Sequence, residues 1–250
     1  MLTKIKREIY EVKILLRSIP SPILTLFAVS VIVMNLLANK SVNLPFEWLA
    51  LDCGIIVSWV SFLSMDIITK HFGPKAATEV SIIAVVFNLM VCIIFFAASR
   101  ISGVWGESYV DGSETIINTA LNNTFSGTWY VLLGSTTAFI ISAVINNILN
   151  YLIGKTMQKK PDGFAVYALR TYVSTAVGQF CDNLVFALIV SRVFFGWSMI
   201  QCLTCSVTGM VVELLCEVIF SPIGFSVCKK WKKENVGKEY FEIKNNIAEK

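Results

Sequence analysis

Charge is what this sequence has least of. Asp, Glu, Lys and Arg make up 15% of its 250 residues, against 55% hydrophobic residues and a mean hydropathy of +0.68. A soluble domain of this length is not that apolar, so the chain falls in the membrane class. Histidine is nearly missing, and the single His71 excludes histidine-rich metal chemistry. Alternating ten-residue segments are absent, which excludes a membrane barrel; the apolar runs are long and continuous, as helices need. No G-x-x-x-x-G-K-[ST] occurs, so ATP is not hydrolysed by that route. No small-x-small cleavage site follows a short apolar core, so the N-terminus does not read as a cleaved signal. No soluble domain, long linker, low-complexity tract or internal repeat is visible.

The net charge of +4 is not a nucleic-acid signal, because Lys and Arg cluster at the tails and in short loops, as topology determinants do. The seven cysteines lie in or at the ends of apolar segments. Cys202 and Cys205 form one C-x-x-C with no second pair and no nearby histidine, which argues for packing residues rather than a metal site or a disulfide framework.

Residues 1–20 form a basic amphipathic segment, with Ile5, Ile9, Val12 and Leu16 at helical spacing, suited to the cytoplasmic interface and ended by Pro20 and Pro22. Six spans are expected in a transmembrane domain of residues 21–228: about Ile23–Ala38, Phe46–Met65, Ala77–Ala98, Trp129–Ile153, Ala168–Ile189 and Trp197–Val227. The expected connectors include a Gly73-Pro74 turn and a long polar loop, Ser99–Thr128, which holds the Asn122-Asn123-Thr124 sequon. A basic cytoplasmic tail, residues 229–250, closes the chain. Lys40, Arg100 and Arg192 are the one basic residue of the first, third and fifth loops, while the other loops and both tails are Lys-rich. The positive-inside rule therefore places both termini in the cytoplasm.

The fifth span, ALRTYVSTAVGQFCDNLVFALI, carries Arg170, Gln179, Asp182 and Asn183 among apolar residues. An ionisable residue inside a span costs about 2.5–3.5 kcal/mol on insertion scales and is a functional-site hypothesis by default. Asp66, Asn88, Asn146, Asn147, Asn150, Glu213 and Glu217 complete the polar set. Amides offer donors and acceptors and carboxylates accept from N–H groups, so the set suits a planar heterocycle with N–H edges, stacked on Phe186, Tyr167 or Tyr172. Each group also has a plainer reading. Membrane amides glue helices, Arg170 can snorkel, and Asp66 can cap a helix. Glu213 and Glu217, one turn apart, repel, so one of them needs a cationic partner or a proton.

Four stretches resemble the queuosine precursor transporter family, also called the vitamin uptake transporter family, over about Leu44–Val227. They are Asp66-Ile67-Ile68-x-x-x-Phe72-Gly73, Asn150 before a Lys-containing loop, Arg170-x-x-x-Ser174-x-x-x-Gly178-Gln179-x-x-Asp182-x-x-x-Phe186, and Glu217-x-x-x-Ser221-Pro222. The resemblance implies an all-α membrane protein similar to the substrate-binding subunits of energy-coupling-factor transporters, in a bacterial cell membrane. It implies import of queuosine precursors, 7-deazaguanine bases such as the cyano and aminomethyl forms or queuine, and no enzyme activity, cofactor or metal. Asp182, Gln179 and Asn150 would line the site, with Asn147, Asn183, Arg170 and Phe186 around it, and Asp66 would orient the second and third helices. Energy-coupling-factor ATPase subunits could drive the cycle, or Glu213 or Glu217 could carry a proton. Where Lys70 and Glu213 stand, relatives often have Glu and Lys, an exchange of sign that predicts pairing of the two. Another vitamin-like heterocycle, or a non-transport membrane assembly role, are the alternatives.

Overall fold

A computed structural model describes residues 2–106, 112–156 and 164–248; within its helices the side chains of Asn146, Asn147, Asn150, Arg170 and Glu217 lie outside the described residues. Among the described residues the chain is nearly all helical and has no strand, only an isolated bridge between Ser41 and Asp52. The helices are α1 (Leu2–Ser18), α2 (Ser21–Leu37), α3 (Ile55–Phe72), α4 (Pro74–Ala98), α5 (Glu114–Thr156), α6 (Phe164–Phe186), α7 (Arg192–Phe195), α8 (Met199–Lys233) and α9 (Lys238–Ala248), with a π-helical turn at Ala187–Ser191.

Four segments are long and apolar enough to cross a bilayer: Ile55–Phe72, Pro74–Ala98, Thr175–Phe195 and Met199–Phe220. The bent pair Lys6–Ser18 and Ser21–Leu37, which turns by 105° at its break, makes a fifth if it is counted as one span. Pro20 sits at that break and Pro22 in the first turn of α2, where a missing N–H costs nothing.

Several boundaries differ from the expectation. The second span does not begin at Phe46. Residues before Ile55 form a hairpin-like connector, in which Val42 N–H donates to the Leu51 carbonyl at 2.8 Å and Cys53 N–H to the Lys40 carbonyl at 2.8 Å. Asp52 Oδ1 accepts from Gly54 N–H at 2.8 Å, so this carboxylate shapes the approach to α3 rather than lying in its first turns. Asp66 and Lys70 then fall inside α3 instead of after it. The polar stretch that looked like a loop to Thr128 is helical from Glu114, and it includes the sequon. Trp105 sustains it from outside: its backbone N–H donates to Asn118 Oδ1 at 2.8 Å and its Nε1 to Asn122 Oδ1 at 2.9 Å, while its ring stacks on Phe125. In the tail, α8 runs through Pro222 to Lys233 and a further helix, α9, follows.

The chain divides into two compact units. The first comprises Met1–Ile32, Val57–Phe87 and Glu217–Lys250. In it α1 packs on α9, and His71, Phe72, Trp231, Tyr240 and Phe241 form an aromatic cluster. His71 Nε2 is hydrogen-bonded to the Val236 carbonyl at 2.9 Å. Gly73 (φ 94°) makes the sharp α3–α4 turn, and Gly237 (φ 80°) lies against the Phe72 ring; only glycine adopts those angles without strain. In α1, Ile14 and Leu15 are buried, whereas Ile9 is 63% exposed.

The second unit comprises Val33–Ile56 and Asn88–Cys216, and α5 and α6 pack along each other in it. The connector is tied to α8 there: Gln201 Nε2 donates to the Glu47 carbonyl at 2.8 Å and Thr204 Oγ1 to the Trp48 carbonyl at 2.7 Å.

Candidate functional site

Gln179, Asp182, Asn183 and Phe186 recur at three- and four-residue intervals, so α6 presents them on one face. All four belong to the second unit. Asp182 Oδ1 accepts from Ser142 Oγ on α5 at 3.1 Å. The same hydroxyl faces the Phe139 carbonyl at 3.0 Å, so one proton is shared between two acceptors. Asn183 Nδ2 donates to Glu213 Oε2 on α8 at 3.1 Å, and that glutamate is 4% exposed. Gly209, one turn before Glu213, lets the helices approach: a Cβ there would stand 2.8 Å from Asn183 Nδ2.

Gln179 is 5% exposed, and its Oε1 meets no donor among the described residues. Two buried amides of the same unit, Asn35 and Asn88, each hold an Nδ2 with no acceptor among the described residues. A buried polar group left unpaired costs about 1–3 kcal/mol, so such groups need an explanation. Spare amide donors and acceptors of this kind can pair with a polar solute.

The site rests on an irregular floor. Past Phe186 the helix widens into the π turn, where the Arg192 N–H reaches back to the Ala187 carbonyl. Such turns recur at functional sites. Tyr130 Oη donates to the Ile189 carbonyl at 2.9 Å. The fully buried Val190 fills the place where a side chain at Gly134 would stand. Phe186 packs against the apolar cluster of Ala38, Val131 and Val190.

Of the expected site residues, then, the structure brings Gln179, Asp182, Asn183, Phe186 and Glu213 into one unit. Asp66 and Lys70 lie one turn apart on α3 in the other unit, where the Cys228 thiol sits in the fields of both. Asn147, Asn150, Arg170 and Glu217 are expected site residues whose side chains lie outside the described set. Ser142, Gly209 and Gly134 carry no signature in the sequence, since a lone Ser or Gly in a span is common. Among the described residues no group of His, Cys, Asp or Glu is placed to hold a metal ion, and all seven cysteines are free.

Apolar helices of spanning length, with amides and carboxylates carried inside, define a multi-pass helical membrane protein with a polar interior. The family model described as "Putative vitamin uptake transporter" matches residues 52–227, and the chain belongs to that family. It is a membrane transporter of the vitamin-uptake type. No curated relative matches the chain. No solved structure matches it.

Proposed function

We propose that the protein imports a 7-deazaguanine precursor of queuosine across a bacterial cell membrane. One observation carries the site: the buried Gln179 Oε1 meets no donor among the described residues and lies on the α6 face with Asp182 and Asn183. The N–H edge of a deazapurine supplies the donors that this acceptor and the Asp182 carboxylate take. Asn147, Asn150 and Arg170 would complete the contacts, with Phe186 as the stacking ring. The spans are then six: α2, α3, α4, the second half of α5, α6 with the π turn and α7, and α8. Both ends of the chain lie in the cytoplasm by the loop charges, an arrangement similar to that of energy-coupling-factor substrate-binding subunits. Asp66 on α3, about two turns before the Gly73 turn into α4, orients those two helices. The drive is a proton on Glu213 or Glu217, or the ATPase subunits of an energy-coupling factor, and the substrate crosses by rocking of helices around a midplane site.

The test is a thermal-shift titration of the detergent-purified protein with queuine, cyano- and aminomethyl-deazaguanine and guanine. A ligand that binds only the native state raises the melting temperature as its concentration passes Kd. One deazapurine should stabilise the wild type and not Asp182→Ala. If no deazapurine acts on a folded sample, the substrate is wrong. The family's description as a vitamin carrier favours a pterin or flavin precursor as the second reading.

A further inference from the structure

Along α1, Lys6, Ile9, Tyr10, Lys13 and Arg17 fall at helical intervals on one face, and all five are exposed. Ile9 and Tyr10 are 63% and 52% exposed. No carboxylate lies on this stripe. Glu8 projects from another side, and Glu11 turns to the body of the unit, where its Oε2 accepts from Lys75 Nζ at 2.9 Å and its Oε1 from Arg7 Nε at 3.3 Å. Leu15 is buried on the opposite side of α1, at 0% exposed; Ile14 is buried at the edge of the stripe, at 3%, and so is Ile19 just after the helix. That burial and the Lys75 bond fix the rotation of α1, so the stripe cannot be rolled inward. The bend of 105° into the apolar α2 sets α1 close to perpendicular to α2.

We propose that this stripe binds the acidic headgroups of phospholipids at the bilayer surface. The occupant follows from charge complementarity: three cations without an acid attract a negatively charged headgroup layer, where basic side chains next to a membrane are favoured. Tyr10 contributes an amphipathic ring of the kind enriched at headgroup level, and Ile9 reaches the acyl boundary. The site is separate from the α6 face and fixes where α1, and through it the Lys75 end of α4, sits relative to the membrane surface.

The full-length protein in neutral detergent is titrated with mixed micelles of phosphatidylglycerol or phosphatidylcholine, with inorganic phosphate as a soluble anion, and the melting temperature is followed. Phosphatidylglycerol should stabilise the protein at concentrations where phosphatidylcholine and phosphate do not. Each cation lost should raise the half-saturating phosphatidylglycerol concentration about fivefold. The Lys6→Gln/Lys13→Gln/Arg17→Gln variant should therefore lose most of the response, and the charge-preserving Lys6→Arg/Lys13→Arg/Arg17→Lys variant should keep it. The single exposed change Lys13→Glu should weaken the response on its own, which serves if the triple variant does not fold. An equal response to both lipids, a response reproduced by inorganic phosphate, or an undiminished response in the Gln and Glu variants would overturn the proposal. The α6 ligand titration is unaffected by any of these outcomes, so the two proposals fail separately.

Discussion

Asn183 on α6 and Glu213 on α8 are joined by a 3.1 Å hydrogen bond, and Gly209 leaves room for the amide that makes it. The bond gives a 4% exposed glutamate a donor inside an apolar helix. Removing it takes one hydrogen bond from a buried carboxylate, which costs about 1–3 kcal/mol.

Asn183→Ala should therefore lower the melting temperature by an amount matching about 1–3 kcal/mol, and Gly209→Ala by a similar amount through overpacking. The double variant should be less destabilised than the sum, because removing the amide vacates the space the new methyl needs. Additive losses in the double variant would show that Gly209 does not act through Asn183.

At the π turn, Gly134→Ala should be poorly tolerated, since Val190 already occupies that space. A cost of about 1–3 kcal/mol is expected, relieved when Val190→Ala is added. Tyr130→Phe, which removes the donor to the Ile189 carbonyl, should cost about 1 kcal/mol. Thermal unfolding of the purified variants checks all three values.

Ser142→Ala should leave the fold intact and weaken ligand binding. It removes a hydroxyl donor to the Asp182 carboxylate, so Asp182 is no longer held in one rotamer toward α5 by that bond. Stability without ligand should fall by about 1 kcal/mol or less, while Kd rises severalfold. A Kd unchanged from the wild type would remove Ser142 from the positioning of Asp182.

Stability should depend on pH through Asp52 in the α2–α3 connector. Burial raises its carboxyl from the usual 3.8 to about 6, against the opposing effect of the Gly54 N–H bond. The folded protein thus holds this proton more tightly than the unfolded chain does. Its stabilising contribution is complete below about pH 4 and is lost as pH rises through about 6. Asp52→Asn keeps an acceptor for Gly54 and has no proton to lose. It should flatten the melting-temperature profile between pH 4 and 7 and be more stable than the wild type at neutral pH. A profile identical to that of the wild type would contradict the assignment.

The helices were largely readable because hydropathy and helical spacing are local. The Gly73-Pro74 turn, the break at Pro20 and the α6 polar face follow from residue type and interval. The errors have local causes too. The run from Phe46 to Leu51 is apolar enough to pass for the start of a span, and hydropathy cannot show that its carbonyls are taken by Gln201 and Thr204, about 150 residues away. The first half of α5 is rich in Asn, Thr and Ser, weak helix formers that read as loop. Its helix is upheld by Trp105 and the Phe95, Phe125 and Trp105 rings, which no local pattern announces.

The sequence by itself determined that this is a helical membrane protein and that Gln179, Asp182 and Asn183 share one face, because both follow from which side chains recur along a 3.6-residue period. Only the tertiary structure decided which groups meet them. Ser142 and Asp182 are 40 residues apart in the chain and Asn183 and Glu213 are 30 apart, so their bonds depend on how α5, α6 and α8 pack. That packing is set by close contacts at Gly134 and Gly209, where the absence of a side chain is what lets the helices come together.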